Sequence, residues 1–141
     1  MFIPNGKADL QSIINFEHEF HFQIPDDYRK FLQDSNGGAC KNSQIKSQEL
    51  GDLLIDYLFG LDGVDELNLR FWKNELKSEI PQDSLIIGSD SGGGFLLLCL
   101  EEGLEGIYYY DHSYLFESSS DTRNTYFIFS TFHELYLELK K

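Results

Sequence analysis

Two groups of residues have the types and spacing that chemistry would need: Asp90-Ser91-Gly92-Gly93-Gly94 together with Asp111-His112, and the pair His18 and His21. Three consecutive glycines suggest a phosphate cradle, in which backbone amides and the dipole of a following helix face an anion. Here a strand-length apolar run, Phe95 to Leu100, follows instead of a helix, and no Gly-Lys-Ser/Thr sequence is present. Counted as a dinucleotide fingerprint from Gly92, the spacing puts Leu97 where the last glycine belongs. A calcium loop starting at Asp90 would gain Glu101 at its twelfth position, but Gly92 then replaces an oxygen ligand and Phe95 replaces the glycine of the sharp turn. What remains is a flexible hairpin turn, for which glycine's conformational freedom is sufficient reason.

His18 and His21 are spaced to share a helix face, yet no further His or Cys stands near them, and a structural zinc takes four protein ligands. No metal site and no cofactor are expected. Nucleophilic catalysis would need Ser or Cys beside a His oriented by an acid. Of His18, His21, His112 and His133, only His112 adjoins a Gly-rich turn, where Asp90, Ser91 and Asp111 converge with it at one end of a sheet. Turn residues converge in that way in any meander, and no nucleophile-elbow spacing occurs, so the chain does not read as an enzyme. Tyr108 and Tyr110 share one strand face and Tyr109 takes the other; packing accounts for them more simply than base stacking. Cys40 and Cys99 fall in different elements, Cys99 within an apolar strand, which suits two reduced thiols.

These residues must be positioned by a sheet. Leu85 to Ile87, Phe95 to Leu100 and Ile107 to Tyr110 are apolar runs separated by turn formers, which predicts a three-stranded antiparallel meander. Ahead of it, Asp9 to Phe20 predicts a helix with Leu10, Ile13, Ile14 and Phe20 on its apolar side. Pro25 to Ser35 predicts a second, with Pro25 at the first helical position, Asp26 and Asp27 at the positive end of the dipole and Asn36-Gly37-Gly38 as a left-handed stop; Tyr28, Phe31 and Leu32 form its buried face. Lys41 to Gln48 reads as a polar loop, Leu53 to Leu61 as a strand, Asp62-Gly63 as a turn, and Val64 to Leu76 as a helix presenting Leu67, Phe71 and Trp72 inward. Glu117 to Thr125 reads as a mobile surface loop, and Tyr126 to Phe129 as a strand. A capping box at Thr131-Glu134 then opens a final helix bearing Phe132, Leu135, Tyr136 and Leu139. The fold class is therefore α+β over residues 1–141, one domain: two N-terminal helices, a mixed or antiparallel sheet with a central meander, a helix before the meander and a C-terminal helix on the sheet. Tyr28, Phe31, Leu85, Ile87, Leu96, Leu98 and Phe132 are the expected centre of the core.

Bulk charge narrows the partners. Eleven Lys and Arg against 24 Asp and Glu leave a formal net charge of −13, with the cations scattered, so direct binding of nucleic acid is disfavoured. The same field attracts a basic protein. No stretch has the length of apolar sequence that spans a bilayer and the N-terminus lacks a signal peptide's apolar segment, so no membrane partner and a cytoplasmic location are expected.

Ile24-Pro25-Asp26-Asp27-Tyr28, Phe31-Leu32 and Asn36-Gly37-Gly38, preceded by a helix and a short aromatic loop, resemble the opening of the SUKH superfamily, the Smi/Knr group. Tyr57-Leu58-Phe59-Gly60-Leu61 resembles that family's strand ending in a Tyr-Gly-Leu-like turn, and Ile80-Pro81 through Gly93 its Ile-Pro, Ile-Gly, Asp-Ser-Gly-Gly segment. Its closing Ser-Phe-x-Glu-like helix is matched here with Thr131 in the place of serine, a change that keeps the cap. The group includes bacterial immunity proteins and fungal regulators of cell-wall glucan synthesis. The resemblance implies a non-catalytic protein-binding domain whose partner is a cognate toxin domain, basic enough to act on nucleic acid. The alternative it implies is a regulatory interaction module of the glucan-synthesis type. Candidate partner-binding residues are Asp56, Asp62, Asp65 and Glu66 around the second strand and its turn, with Asp90 and Asp111 at the meander ends. Each of these carboxylates also has an ordinary role as a solvated turn residue.

Overall fold

The computed structural model describes residues 2–47, 50–61, 63–111 and 125–140. Among them, seven strands form one sheet whose spatial order is the chain order and whose every pairing is antiparallel. The strands are β1 (Phe2–Pro4), β2 (Gly38–Ser47), β3 (Gly51–Leu58), β4 (Ser84–Asp90), β5 (Phe95–Cys99), β6 (Gly106–Tyr110) and β7 (Thr125–Phe129). Helices α1 (Leu10–Phe20) and α2 (Asp26–Ser35) fill the connection from β1 to β2. Helix α3 (Leu69–Glu75) lies between β3 and β4, and α4 (Phe132–Leu139) follows β7. The α+β reading and the central meander, β4 to β6, are what the structure shows. Asp62, His112 and the polar stretch 117–124 lie outside the described residues.

The sheet is curled rather than flat. Helix α4 touches β2 near one edge and β6 and β7 at the other. In a flat sheet β2 and β6 would stand four strand spacings apart, roughly 19 Å, more than the ~12 Å length or diameter of an eight-residue helix. Register shifts between β2 and β3, β3 and β4, β4 and β5, and β6 and β7 supply the bending that brings these strands around α4. The space enclosed is filled with rings. Phe132 sits 4.7 Å from Tyr28 and 4.8 Å from Phe31, and Tyr136 lies 5.1 Å from Phe31. All seven residues expected at the centre of the core are buried.

Several local readings change. Lys41 to Gln48 was expected to loop, but β2 runs through Ser47. Ser43 and Ile45 point inward while Lys41, Gln44 and Lys46 face water, and pairing Ser43↔Ile55 and Ile45↔Leu53 buries the inner side with help from β3. One isoleucine is enough apolar signal for a strand when its neighbour supplies the rest. In α1 the buried stripe is Ile13 and Phe16, with Phe20 half-buried 4.8 Å from Phe16, and Leu10 falls off its end, 46% exposed. Pro25 is the N-cap of α2 rather than its first helical residue, with ψ 151° and its carbonyl accepting from Arg29 N. Thr131 caps α4 as expected, accepting from Glu134 N at 3.2 Å, but Glu134 takes the Thr131 hydroxyl instead of reaching back to the backbone.

The expected helix from Val64 to Leu76 is broken in two. Asp65–Leu67 forms a single 3-10 turn, Asn68 is extended, and α3 begins at Leu69. Backbone pairing causes the break: Gly60 N donates to the Leu67 carbonyl and Leu69 N donates to the Gly60 carbonyl, which a continuous helix would forbid. Asn68 then caps α3, its side chain accepting from Arg70 N at 2.8 Å. Inward positions pass to Leu69, Lys73 and Leu76, and Leu67, Phe71 and Trp72 are only half-buried.

Gly60 faces the end of α2 so closely that an added Cβ would lie within 3.0 Å of the Asn36 backbone and side chain, both fixed. Gly60→Ala should therefore lower stability by ~3 kcal/mol or more. Gly92→Ala should change it by less than ~1 kcal/mol, since a Cβ there meets the Asp90 carboxylate only at ordinary distance, 3.6 Å. Urea denaturation midpoints of the two variants check this.

Candidate functional site

The glycine run forms the β4–β5 hairpin, and its amides do face a carboxylate, though one the chain supplies itself. Asp90 Oδ1 accepts from Gly92 N at 3.0 Å and from Gly94 N at 2.7 Å, while Oδ2 accepts from the Tyr109 hydroxyl at 2.7 Å. Gly93 adopts φ +94°, and a Cβ on Gly94 would collide with the Tyr109 ring, so two of the three glycines have separate steric reasons. Asp90 is buried and its oxygens are committed to these donors, an arrangement that closes a hairpin rather than presenting an acid or base. Burial and the hydrogen bond to Asp90 push the Tyr109 phenol well above its usual range.

The other acidic candidates divide by position. Asp111 follows β6 at the sheet end occupied by the Asp90 hairpin, because Phe95 pairs with Tyr110. Asp56 is the extra residue of the β3 bulge, between Ile55↔Asp90 and Tyr57↔Ser89, and is exposed. Asp65 and Glu66 are exposed on the turn beyond the other end of β3. Asp62 is outside the described residues. The structure thus sets Asp56 next to the Asp90 hairpin and Asp65 and Glu66 on the turn past the other end of β3, all three of them exposed.

His18 and His21 are exposed at the end of α1, where His21 takes φ +52° as its C-cap. Among the described residues no three His, Cys, Asp or Glu side chains approach a common point. Cys40 and Cys99 are buried, unbridged thiols. Burial pushes the Cys40 thiol up to about 12, and the Cys99 thiol is raised for the same reason. Among the described residues no helix is long and apolar enough to cross a membrane.

One feature of this segment was missed in the sequence. Val64, on the turn that leads to Glu66, is 61% exposed, while Tyr57, Phe71 and Trp72 are half-buried. Their rings form a ladder over buried Phe59 and Phe95: Trp72 lies 6.1 Å from Phe59, 5.0 Å from Phe71 and 4.7 Å from Phe95. Trp72 Nε1 donates to the Glu66 carbonyl at 2.8 Å, tying the indole to the acidic turn. The signal that could have found it is Asn68, a strong N-cap residue that divides Asp65-Glu66-Leu67 from the helix and so turns Phe71 and Trp72 away from the inward stripe.

Residues 7–138, nearly the whole chain, match the family described as SMI1 / KNR4 family (SUKH-1), and the chain belongs to that family. No curated protein and no solved structure matches it.

Two measurements test the geometry. Asp90→Ala removes the acceptor of three donors, two of them on a tight turn, and should cost ~2–4 kcal/mol; Tyr109→Phe, which leaves both amide bonds in place, should cost about half as much. Chemical denaturation of both variants reads the ratio. For the buried Cys40 the sign follows from its raised value: folding favours the protonated thiol, so that contribution is complete below about 9 and is lost as pH rises toward about 12. A thiol reagent at pH 8 should leave Cys40 unmodified until the protein is unfolded by denaturant. Prompt stoichiometric labelling of the native protein would contradict the burial.

Proposed function

We propose that this chain is a non-catalytic immunity protein that binds a cognate toxin domain and blocks its working surface. The observation that carries the reading is membership of the SMI1 / KNR4 family across residues 7–138. Charge supports it independently. A toxin that acts on nucleic acid needs a basic face, and a protein of net charge −13 attracts such a face and speeds its docking. The contact surface in this reading comprises Asp56, Asp65 and Glu66, joined in sequence by Asp62, with Asp111 at the same sheet end as Asp56, three strands across. Asp90, whose carboxylate is used internally, keeps the hairpin in shape. The work is done in the cytoplasm, where such a toxin would find its substrate.

Association with the basic domain of a toxin encoded in the same gene cluster should slow as salt rises, while dissociation, set by desolvated contacts, changes less. Substituting Asp56, Asp65 and Glu66 together by Asn, Asn and Gln should reduce the association rate by roughly tenfold and weaken protection of cells, with the melting temperature nearly unchanged. The control removes the same charge from exposed positions elsewhere, Asp9, Glu79 and Glu102. Equal slowing by both triples would assign the effect to the overall field. Failure of every such toxin domain to bind, by calorimetry and by co-purification, would favour the regulatory module of the cell-wall type.

A further inference from the structure

We infer that the partner is held by the aromatic step beside the acidic turn, with Trp72 at its centre, Tyr57 and Phe71 around it and Val64 on the adjoining turn, and that this step takes a Lys- or Arg-bearing segment of a basic protein. The inference rests on the binding reading above and adds to it where the bound state is held. Sheet register and α3 fix the platform. Tyr57, Ser89, Phe95 and Tyr110 form one row across β3 to β6, and the Trp72 indole covers Phe95 at 4.7 Å while lying nearly parallel to Phe59, with an interplanar angle of 17°. The Tyr57 hydroxyl accepts from Asn5 Nδ2, and Trp72 Nε1 is held by the Glu66 carbonyl at 2.8 Å. Rings pinned in this way lose little conformational freedom on binding, and rigid Trp and Tyr at the centre of a polar rim is the arrangement from which interfaces draw most of their affinity.

The chemistry of the occupant follows from what surrounds the rings. Asp56 adjoins Tyr57 in β3, Asp65 and Glu66 form the turn whose carbonyl holds Trp72, and all three are exposed. The cations that α3 carries are turned elsewhere: Arg70 Nε pairs with Glu19 Oε1 at 2.8 Å and its guanidinium lies 5.8 Å from the Phe16 ring centre. Lys73 is buried, its ammonium on the Gln82 and Ser84 carbonyls and 5.2 Å from the Phe22 ring centre. The rim is therefore anionic around a π surface, which favours a guanidinium or ammonium with its apolar stem over an uncharged or acidic segment. A second copy of this chain, with the same charge of −13, would set carboxylate against carboxylate.

Trp72 is the chain's only tryptophan, so its fluorescence reports on this surface alone. The experiment saturates the full chain with the basic toxin domain encoded in its gene cluster and follows acrylamide quenching of Trp72 and the dissociation rate. Quenching should fall at least about twofold, and Val64→Ser and Phe71→Ser should each raise the dissociation rate by roughly tenfold while changing the association rate little. Because Phe71 is packed on Trp72, Trp72→Phe provides a milder variant that keeps a ring, and its faster dissociation with an unchanged melting temperature would support the same conclusion. A complex that forms with normal affinity, yet leaves quenching and all three dissociation rates as in the free or unsubstituted protein, overturns this inference and leaves the binding reading standing. Absence of any complex overturns the binding reading and this inference with it.

Discussion

The structure depends on the contact between the end of α2 and the end of β3. Asn36 sits at φ +50°, Gly37 at +81° and Gly38 at +159°, so the chain leaves the helix through conformations that side chains disfavour and drops straight into β2. It can do so only because nothing projects from the facing segment: a Cβ on Gly37 would strike the Leu58 to Gly60 backbone, and one on Gly60 would strike Asn36. Asn36 Oδ1 completes the junction by accepting from Leu61 N at 2.9 Å. Helix α2, the β1–β2 edge and the chain leaving β3 are thereby locked at one point.

From that point the constraint spreads in both directions. On one side, α2 is set so that Tyr28 and Phe31 meet Phe132 of α4, and Asp27 Oδ2 accepts from His133 N at 3.0 Å, filling one of the amides that the first turn of α4 leaves without a partner. On the other, Gly60 exchanges backbone hydrogen bonds with Leu67 and Leu69, which breaks the helix at Asn68 and starts α3 where Trp72 can cover Phe95. Charge is arranged around the same frame. Arg29 is held by Glu17 at 2.8 Å and Arg70 by Glu19, tying α1 to α2 and to α3, while the surplus carboxylates remain on the outer turns.

Elements with strong local signals were legible from sequence. Pro25, the two aspartates and Asn36-Gly37-Gly38 mark α2 at both ends, and the runs from Leu85 to Tyr110 can hardly be anything but buried strands. The misses lie where tertiary pairing overrides local composition. Lys41 to Ser47 is polar enough to loop but is drawn into the sheet by Leu53 and Ile55 opposite; Val64 to Leu76 is periodic enough to be one helix but is divided by Gly60. The same limit applies to the candidate site. The carboxylates could be named from the sequence, yet whether each is exposed or engaged depends on partners distant in the chain. Asp90 shows this best, since the hydroxyl that binds it belongs to Tyr109, two strands away.

A binding role asks two things of a fold that usually conflict: a surface rigid enough to lose little entropy on docking, and side chains there that can change without unfolding the protein. In this chain the conflict is resolved by where the hydrogen bonds fall. The excursion from Leu61 to Asn68 is fixed at its ends by backbone bonds of Gly60 and by Asn36, none of which needs a particular side chain at Val64, Asp65 or Glu66. Those side chains are exposed, so substituting them removes no core contact, whereas the rings beneath them are anchored on Phe59 and Phe95, both buried. In the proposed binding role, recognition could therefore diverge at the rim while the platform stays put, because rim charge acts on encounter and desolvated rings act on escape.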